Sequence, residues 1–173
     1  MNIDAIPVGK NPPEDFNVII ENPMGGAPIK YEMEKESGAI RVDRFMQTAM
    51  HYPANYGFIP HTLSGDGDPV DVVVLTHVPI MPGAVISCRA VGVFIMKDES
   101  GMDEKIIAVP VDKLNPFYHK LQSIDDMDPA LRNQIEHFFA HYKDLESGKW
   151  SETIGWEGPD KARALIVEGV DRA

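Results

Sequence analysis

Residues 63–75 read LSGDGDPVDVVVL, and they place three aspartates within six positions, directly at the start of a valine run. The valines and the final leucine predict a buried strand. In an extended chain alternate residues share a face, so Asp66 and Asp68 would point one way and Asp71 the other. The glycines on either side of Asp66, together with Pro69, allow the chain to turn. We therefore expect a bend between Asp68 and Asp71 that makes the three carboxylates converge.

Converging carboxylates need a partner of opposite charge. In a poorly solvated site they repel one another, and at least one would take up a proton unless a cation lay among them. Oxygen ligands select hard cations, so Mg²⁺ or Mn²⁺ is the expected ion. The alternative is a solvated turn, because Asp and Gly are both common turn residues.

A second acidic group lies in KDESGMDEK (97–105). Asp98, Glu99 and Asp103 stand at the end of a long strand-like run, and Lys105 follows them. A charged hairpin tip would have the same composition. The recurrence of closely spaced carboxylates nevertheless favours a metal site over two unrelated turns.

Basic and phenolic side chains form a complementary set. Its members are Lys30, Arg44, Tyr52, Tyr56, Tyr142 and Lys143. Taken singly, they are explained as solvated strand charges or as core aromatic residues with a hydrated hydroxyl. Taken with the two acidic groups, they indicate a site for a polyanion that is delivered with a divalent metal.

Length and charge limit the classes of protein. The 173 residues fit one domain, 1–173, with its own apolar core. There are 27 acidic and 16 basic residues, and this balance argues against nucleic acid as a partner. The N-terminus lacks a basic start and a long apolar stretch, and no run approaches membrane-spanning length. We therefore expect a cytoplasmic protein with no membrane partner.

The hydrophobic pattern predicts strands followed by two helices. The predicted strands are FNVIIE (16–21), PIKYEMEKE (28–36), AIRVDRF (39–45), VDVVVLT (70–76), AVISCRAVGVFIMKD (84–98) and KIIAVPV (105–111). One helix is expected between an N-cap at Asp128 and a C-cap at Gly148, and another after Pro159. This order predicts an α+β fold, mainly β, with a small antiparallel barrel packed against helices.

Common phosphate and metal motifs are absent. There is no G-x-x-x-x-G-K-[ST] loop and no H-E-x-x-H helix. An EF-hand starting at Asp66 fails, because Asp71 replaces the required Gly and His77 the required Glu. His137 and His141 lie four residues apart on the predicted helix, so zinc is conceivable, but no third ligand is evident. A pair of this kind also suits a subunit interface or a solvated surface.

The acidic motif and its surroundings resemble those of the soluble, family I inorganic pyrophosphatases in their bacterial form. The signature is DGDPVD (66–71). Further matching segments are PIKYE (28–32), DRFMQTAMHYPANYGFIPHTL (43–63), CRAVGV (88–93), the DES segment with Asp103 and Lys105, and HFFAHYKDLE (137–146). The resemblance extends from about Phe16 to the final helix.

The resemblance implies a fold and a reaction. The fold is a five-stranded OB-like closed barrel with flanking C-terminal helices. The reaction is Mg²⁺-dependent hydrolysis of inorganic pyrophosphate to two phosphates, by direct attack of a metal-activated water. Several Mg²⁺ ions per site are implied, with Mn²⁺ or Zn²⁺ as possible substitutes. Bacterial members usually assemble as homohexamers.

The resemblance also assigns metal and proton roles by position. Asp66, Asp71 and Asp103 match the ligands of a first metal, and Asp71 also reaches a second. Asp98 and Asp103 match the ligands of a metal that arrives with substrate. Two further acidic residues complete this set: Glu32, close to another metal, and Asp68, which matches the carboxylate that takes the proton of the attacking water.

The remaining site positions match residues that contact phosphate or support the site. Lys30, Arg44, Tyr56, Tyr142 and Lys143 match contacts to substrate and product phosphates. Glu21, Tyr52, Glu99 and Lys105 match supporting residues: two carboxylates, a hydroxyl and a further basic group.

Two other interpretations remain at the level of sequence. An OB-like module could bind metal or nucleotide without turnover, and binding without phosphate release would favour it. A version that binds single-stranded nucleic acid needs a basic, aromatic groove, against which the net charge of -11 counts. Separately, His137, His141 and Asp144 share one side of the predicted helix, and we expect them to contribute to a pH-dependent subunit contact.

Overall fold

The computed structural model describes all residues, 1–173. It contains eight strands and two α-helices. In chain order they are β1 (Phe16–Asn22), β2 (Ile29–Met33), β3 (Ile40–Phe45), β4 (Asn55–Phe58), β5 (Asp71–Val74), β6 (Val85–Asp98), β7 (Gly101–Pro110), α1 (Pro129–His141), β8 (Ser151–Glu157) and α2 (Pro159–Arg172). Short 3₁₀ turns lie at Ile3–Ala5, Pro116–Tyr118 and Ile124–Asp126.

Five strands are joined in a continuous cycle of backbone pairings. β1 pairs with β4, β4 with β5 and β6 with β7, all antiparallel, whereas β5 and β7 are parallel. β1 also pairs with the first part of β6, which returns the cycle to its first strand. β8 pairs with the second part of β6, and β2 and β3 form a separate hairpin. The α+β, mainly β prediction is confirmed.

The strand after Asp71 is apolar on both faces because it lies between two apolar clusters. Val72 and Val74 belong to the cluster that α2 covers, whereas Val73 belongs to the cluster that α1 covers. Alternate side chains of a strand point to opposite faces, so a strand covered on both sides is apolar throughout. The buried strand predicted from this run is therefore confirmed, and it fixes Asp71 at the edge of the core.

The helices begin where the sequence predicts, but one ends earlier. The Asp128 carboxylate caps α1 by accepting the amide of Ala130 at 2.8 Å, and Pro129 occupies the first turn. α1 ends at His141 rather than near Gly148. Residues 142–148 form turns instead, and within them the Lys143 side chain is buried in a polar contact with Asp98.

Two strands were missed by sequence reasoning. The predicted strands leave residues 46–69 unassigned, yet β4 begins at Asn55, and Tyr56 belongs to that strand. The sequence pattern does not predict β8, because SETIGWE (151–157) lies half-exposed at the edge of the sheet and its apolar and polar residues do not alternate cleanly. β7 also begins at Gly101, four residues before the predicted start. No helix combines the length and the apolar character needed to cross a lipid bilayer.

Candidate active site

A polar cavity of about 220 Å³ brings together most of the residues singled out from the sequence. It lies where the segment before β5, the β6–β7 turn and the end of α1 meet. Its lining is Lys30, Arg44, Tyr52, Tyr56, Asp66, Asp68, Asp71, Asp98, Glu99, Ser100, Asp103, Lys105, Phe139, Tyr142, Lys143 and Lys149. Every predicted site residue except Glu21 and Glu32 is present.

Glu21 and Glu32 line a neighbouring cavity of about 120 Å³. The two cavities share Lys30 and Tyr56 and all three aspartates of the 66–71 motif. The predicted residues therefore form one acidic and basic region with two adjoining chambers. Their assignment to individual roles stays a prediction.

A tight turn makes Asp66, Asp68 and Asp71 face the same cavity. The amide of Asp68 donates to Oδ1 of Asp66 at 3.0 Å, and the amide of Ser64 donates to the carbonyl of Asp68 at 2.6 Å. Gly67 has a φ of 89°, a value that favours glycine. All three aspartates line one cavity, as the expected bend requires, but the bend lies at residues 64–68, slightly before the predicted position.

The base of this turn is held by packing against α2. The amide of Leu63 donates to the carbonyl of Gly169 at 2.9 Å, and the amide of Val70 donates to Oγ1 of Thr62 at 3.0 Å. A Cβ atom on Gly169 would lie 2.6 Å from Cγ2 of Val70, so only glycine permits this approach. The acidic turn thus projects from a rigid base, although Asp66 and Asp68 are themselves exposed.

Lys105 lies between two carboxylates of the larger cavity. Its Nζ is 3.1 Å from Oδ2 of Asp71 and 3.0 Å from Oδ1 of Asp103, and it donates to the hydroxyl of Tyr56 at 2.9 Å. The hydroxyl of Tyr56 donates in turn to Oδ2 of Asp71 at 2.5 Å. Burial alone would lower the pKa of Lys105, but the carboxylates of Asp103 and Asp71 raise it well above its usual value. The Lys105 ammonium is therefore held between two of the carboxylates predicted to bind metal, and the metal itself stays a prediction.

The donors of this cavity suit a hard divalent cation. Carboxylate oxygens dominate its acidic wall, and Asp71 and Asp103 already share one positive charge, that of Lys105. No three His, Cys, Asp or Glu side chains are arranged to enclose an ion, and the Lys105 ammonium contacts both Asp71 and Asp103. The ligand set of Asp66, Asp71 and Asp103 consequently stays a prediction. The pair His137 and His141 likewise lacks a third ligand for zinc.

The β6–β7 turn contributes a second ion-pair group. Nζ of Lys143 lies 2.7 Å from Oδ2 of Asp98 and 3.4 Å from Oε1 of Glu99. The amide of Ser100 donates to the other oxygen of Asp98 at 2.8 Å. Burial would raise the pKa of Asp98, but these hydrogen bonds lower it. The segment is thus a hairpin tip that also lines the cavity, and its predicted role as a metal site stays a prediction.

The β2–β3 hairpin supplies the opposite, basic wall. Lys30 pairs with Arg44 across the hairpin, where the register shifts by one residue at Asp43. Oδ2 of Asp43 lies 3.5 Å from Nζ of Lys30 and 3.6 Å from Nη1 of Arg44. Nε of Arg44 forms an ion pair with Oε1 of Glu146 at 2.8 Å. Because Lys30 and Arg44 are adjacent, their positive charges act on one part of the cavity.

Three tyrosines combine core packing with a place in the cavity wall. Tyr52, Tyr56 and Tyr142 belong to the apolar cluster below α1 and also line the cavity. The rings of Tyr52 and Phe138 are 4.8 Å apart, and those of Tyr56 and Phe139 are 6.0 Å apart. Burial raises the pKa of the Tyr52 and Tyr56 hydroxyls, so both remain protonated hydrogen-bond donors at neutral pH.

Glu21 differs from the other carboxylates because it is buried beneath the smaller cavity. Burial raises its pKa from 4.5 to about 7, although its hydrogen bond from the amide of Met33 opposes the shift. Nearby Asp71 and Glu32 raise the pKa further through charge repulsion. Glu21 is therefore partly protonated near neutral pH.

Sequence reasoning missed several residues around the cavity. Ser100, Phe139 and Lys149 line it, and the carboxylates of Asp43 and Glu146 pair with its arginine. The Glu-Ser-Gly-Lys run at 146–149 was a usable signal, because its composition is typical of a turn rather than a helix. The predicted helix, which continues to residue 148, instead places this run inside a helix.

Comparison with known proteins identifies relatives along the whole chain. Residues 18–173 match the family model described as inorganic pyrophosphatase. The inorganic pyrophosphatase of Rickettsia felis is 62% identical over 173 residues, which is 100% of this chain and 99% of the relative. That of Agrobacterium fabrum is 57% identical over 172 residues, 99% of this chain and 97% of the relative.

Solved structures with the same arrangement include two bacterial inorganic pyrophosphatases. The structure from Coxiella burnetii has a TM-score of 0.93 and 48% identity, covering 96% of this chain and 99% of that one. The structure from Thermus thermophilus has a TM-score of 0.94 and 39% identity, covering 99% and 98%.

Proposed function

The chain belongs to the inorganic pyrophosphatase family and is a hydrolase of the phosphoanhydride bond, and from this premise we propose that it hydrolyses inorganic pyrophosphate to two phosphates in an Mg²⁺-dependent reaction. The observation that supports this proposal most strongly is the single cavity in which acidic and basic residues face one another. Pyrophosphate carries several negative charges, so its binding to a protein of net charge -11 needs both a basic wall and bound cations.

The metal-holding residues are proposed to be Asp66, Asp71 and Asp103 for a first ion, with Asp98 and Asp103 for another and Glu32 close to a further one. When bound, Mg²⁺ supplies positive charge to the phosphate oxygens and lowers the pKa of the attacking water. Mn²⁺ and Zn²⁺ are proposed substitutes because they also accept carboxylate ligands.

The protein's own residues bind and orient the substrate. Lys30, Arg44 and Lys143 offset the charge of the two phosphoryl groups, and the hydroxyls of Tyr56 and Tyr142 donate hydrogen bonds. Fixing both phosphoryl groups in this way aligns the bridging oxygen opposite the attacking water, as an in-line displacement requires.

Asp68 is proposed to accept the proton of the attacking water. Its side chain is 78% exposed, and its nearest charged partner is Lys35, whose Nζ is 3.8 Å from Oδ1. A carboxylate without a strong partner is free to take a proton, whereas Asp71 and Asp103 are held by Lys105. The new phosphorus–oxygen bond forms as the bond to the bridging oxygen breaks, and no covalent enzyme intermediate is required.

We further propose that the cycle of strand pairings is a closed OB-like barrel, that residues 1–173 form one domain, and that the protein acts in the cytoplasm as a homohexamer. The cycle from β1 through β4, β5, β7 and β6 supports the first point. Phosphate release from pyrophosphate in Mg²⁺ tests the function. Binding of pyrophosphate without release would favour a module that binds its ligand without turnover.

A further inference from the structure

Glu146 is a mostly buried carboxylate that sequence reasoning did not connect with the cavity. Only 11% of its side chain is exposed, and Oε1 lies 2.8 Å from Nε of Arg44. Oε2 has no hydrogen-bond partner in the protein. Burial of a charged carboxylate is unfavourable unless its partner compensates, so Arg44 is the group that holds it there.

The backbone around Glu146 links this ion pair to other cavity residues. The amide of Glu146 donates to the carbonyl of Lys143 at 2.9 Å, and the amide of Lys149 donates to the carbonyl of Glu146 at 3.3 Å. Lys143 and Lys149 both line the cavity. The ion pair therefore joins the β2–β3 hairpin, which carries Arg44, to the turn that follows α1.

Arg44 has two buried nitrogens without a hydrogen bond in the protein, Nε and Nη2. Nε lies 2.8 Å from Oε1 of Glu146 as an ion pair without hydrogen-bond geometry, whereas Nη2 has no partner at all and is free for a ligand. Nη1 has only a long contact, 3.6 Å, with Oδ2 of Asp43. A buried guanidinium nitrogen without a partner is costly, and a phosphate oxygen in the cavity would satisfy it.

The role of Glu146 can be tested, because its negative charge and its contact with Arg44 should have opposite effects on anion binding. Next to a site for an anion, a carboxylate weakens the positive potential of Arg44. Electrostatics alone therefore predicts that removing Glu146 would strengthen pyrophosphate binding. If Glu146 instead orients the guanidinium, its removal weakens binding and turnover, because an unrestrained arginine loses the fixed geometry.

We propose that Glu146 is a positioning residue that holds Arg44 against the turn carrying Lys143 and Lys149, so that Nη2 is directed at a phosphoryl oxygen of the substrate. This inference rests on the proposed pyrophosphatase function. The link also sets the separation between the basic groups of the hairpin and those that follow α1.

The test is a double-mutant cycle of Glu146→Ala and Arg44→Ala, with kcat and KM measured for pyrophosphate in Mg²⁺. We expect kcat/KM to fall by about tenfold to 100-fold in Glu146→Ala. In the Arg44→Ala background the same substitution should have no further effect, because Glu146 acts through Arg44. Glu146→Gln retains an oxygen beside Nε and should recover most of the loss. Glu152→Ala, an exposed carboxylate outside both cavities, is the matched control.

Three results would overturn the inference. These are an unchanged or increased kcat/KM in Glu146→Ala, an equal loss in the presence and absence of Arg44, and failure of Glu146→Gln to recover activity while remaining folded. If the wild-type protein released no phosphate, the proposed function would fail instead. The same cycle would then be measured as pyrophosphate affinity in Mg²⁺ by calorimetry, where loss of binding only in the presence of Arg44 supports the positioning role and additive losses contradict it.

Discussion

Nζ of Lys105 lies 3.1 Å from Oδ2 of Asp71, and the two residues are register partners on the parallel strands β5 and β7. The same ammonium is 3.0 Å from Oδ1 of Asp103. Both carboxylates are proposed metal ligands, so the protein supplies its own cation to a site that also attracts an external one. The arrangement explains how neighbouring carboxylates persist in a half-buried site.

Replacing Lys105 by Met should destabilise the metal-free protein. Loss of the ammonium leaves Asp71 and Asp103 without their shared partner, and we expect the free energy of unfolding in EDTA to fall by roughly 2–3 kcal/mol. Mg²⁺ should stabilise the variant more than the wild type, as measured by urea unfolding. Lys97→Met, at an exposed position on β6, is the control. Equal stability of variant and wild type in EDTA would contradict this account.

Asp68→Asn should reduce turnover without unfolding the protein. A general base contributes about 10²–10⁴-fold to a rate, so we expect kcat to fall within that range. Stability should change little, because the Asp68 side chain is 78% exposed. Asp125→Asn removes another highly exposed carboxylate, which does not line the cavity, and should retain wild-type kcat. Full activity of Asp68→Asn would show that Asp68 does not accept the proton of the attacking water.

Glu21→Gln should change how stability depends on pH. The pKa of Glu21 is raised to about 7 in the folded protein, so folding favours the protonated form. The resulting stabilisation is present below pH 4.5 and is lost as the pH rises to about 7. Between these pH values the free energy of unfolding of the wild type should fall by as much as about 3 kcal/mol relative to that of the glutamine variant, which cannot ionise. Urea unfolding in EDTA at several pH values measures this difference, and parallel curves for the two proteins would contradict it.

Assembly should depend on pH if the exposed histidines of α1 lie in a subunit contact. The rings of His137 and His141 are 4.7 Å apart, and Nδ1 of His141 is 2.8 Å from Oδ2 of Asp144. Histidine gains charge in mildly acidic solution, so two adjacent rings would then repel each other. We expect a hexamer at pH 8 and partial dissociation at pH 5.5 by sedimentation velocity. A monomer at pH 8 contradicts the assembly, and a hexamer unaffected by pH contradicts the histidine contact.

The sequence predicted the acidic turn and the buried strand after it, because local chemistry determines both. Glycines and Pro69 beside the aspartates favour a turn, and the valines that follow require a buried strand. These signals lie within one short segment, so no distant contact is needed to interpret them. The chain accordingly brings Asp66, Asp68 and Asp71 to one cavity.

The missed elements depend on distant partners. β4 begins at Asn55, whose side chain accepts the amides of Met24 and Ile80 and donates to Oγ1 of Thr76. These contacts satisfy a buried amide that in isolation favours a turn. Similarly, the burial of Lys143 depends on Asp98, which is 45 residues away, and local periodicity carries no information about it.

The most direct test of the account is phosphate release from inorganic pyrophosphate by the purified protein. We predict rapid release in Mg²⁺, none in EDTA and recovery when Mg²⁺ is restored. The Asp68→Asn variant should bind pyrophosphate but release phosphate at least about 100-fold more slowly. Binding of pyrophosphate by the folded wild-type protein without release of phosphate in Mg²⁺ would contradict the central claim.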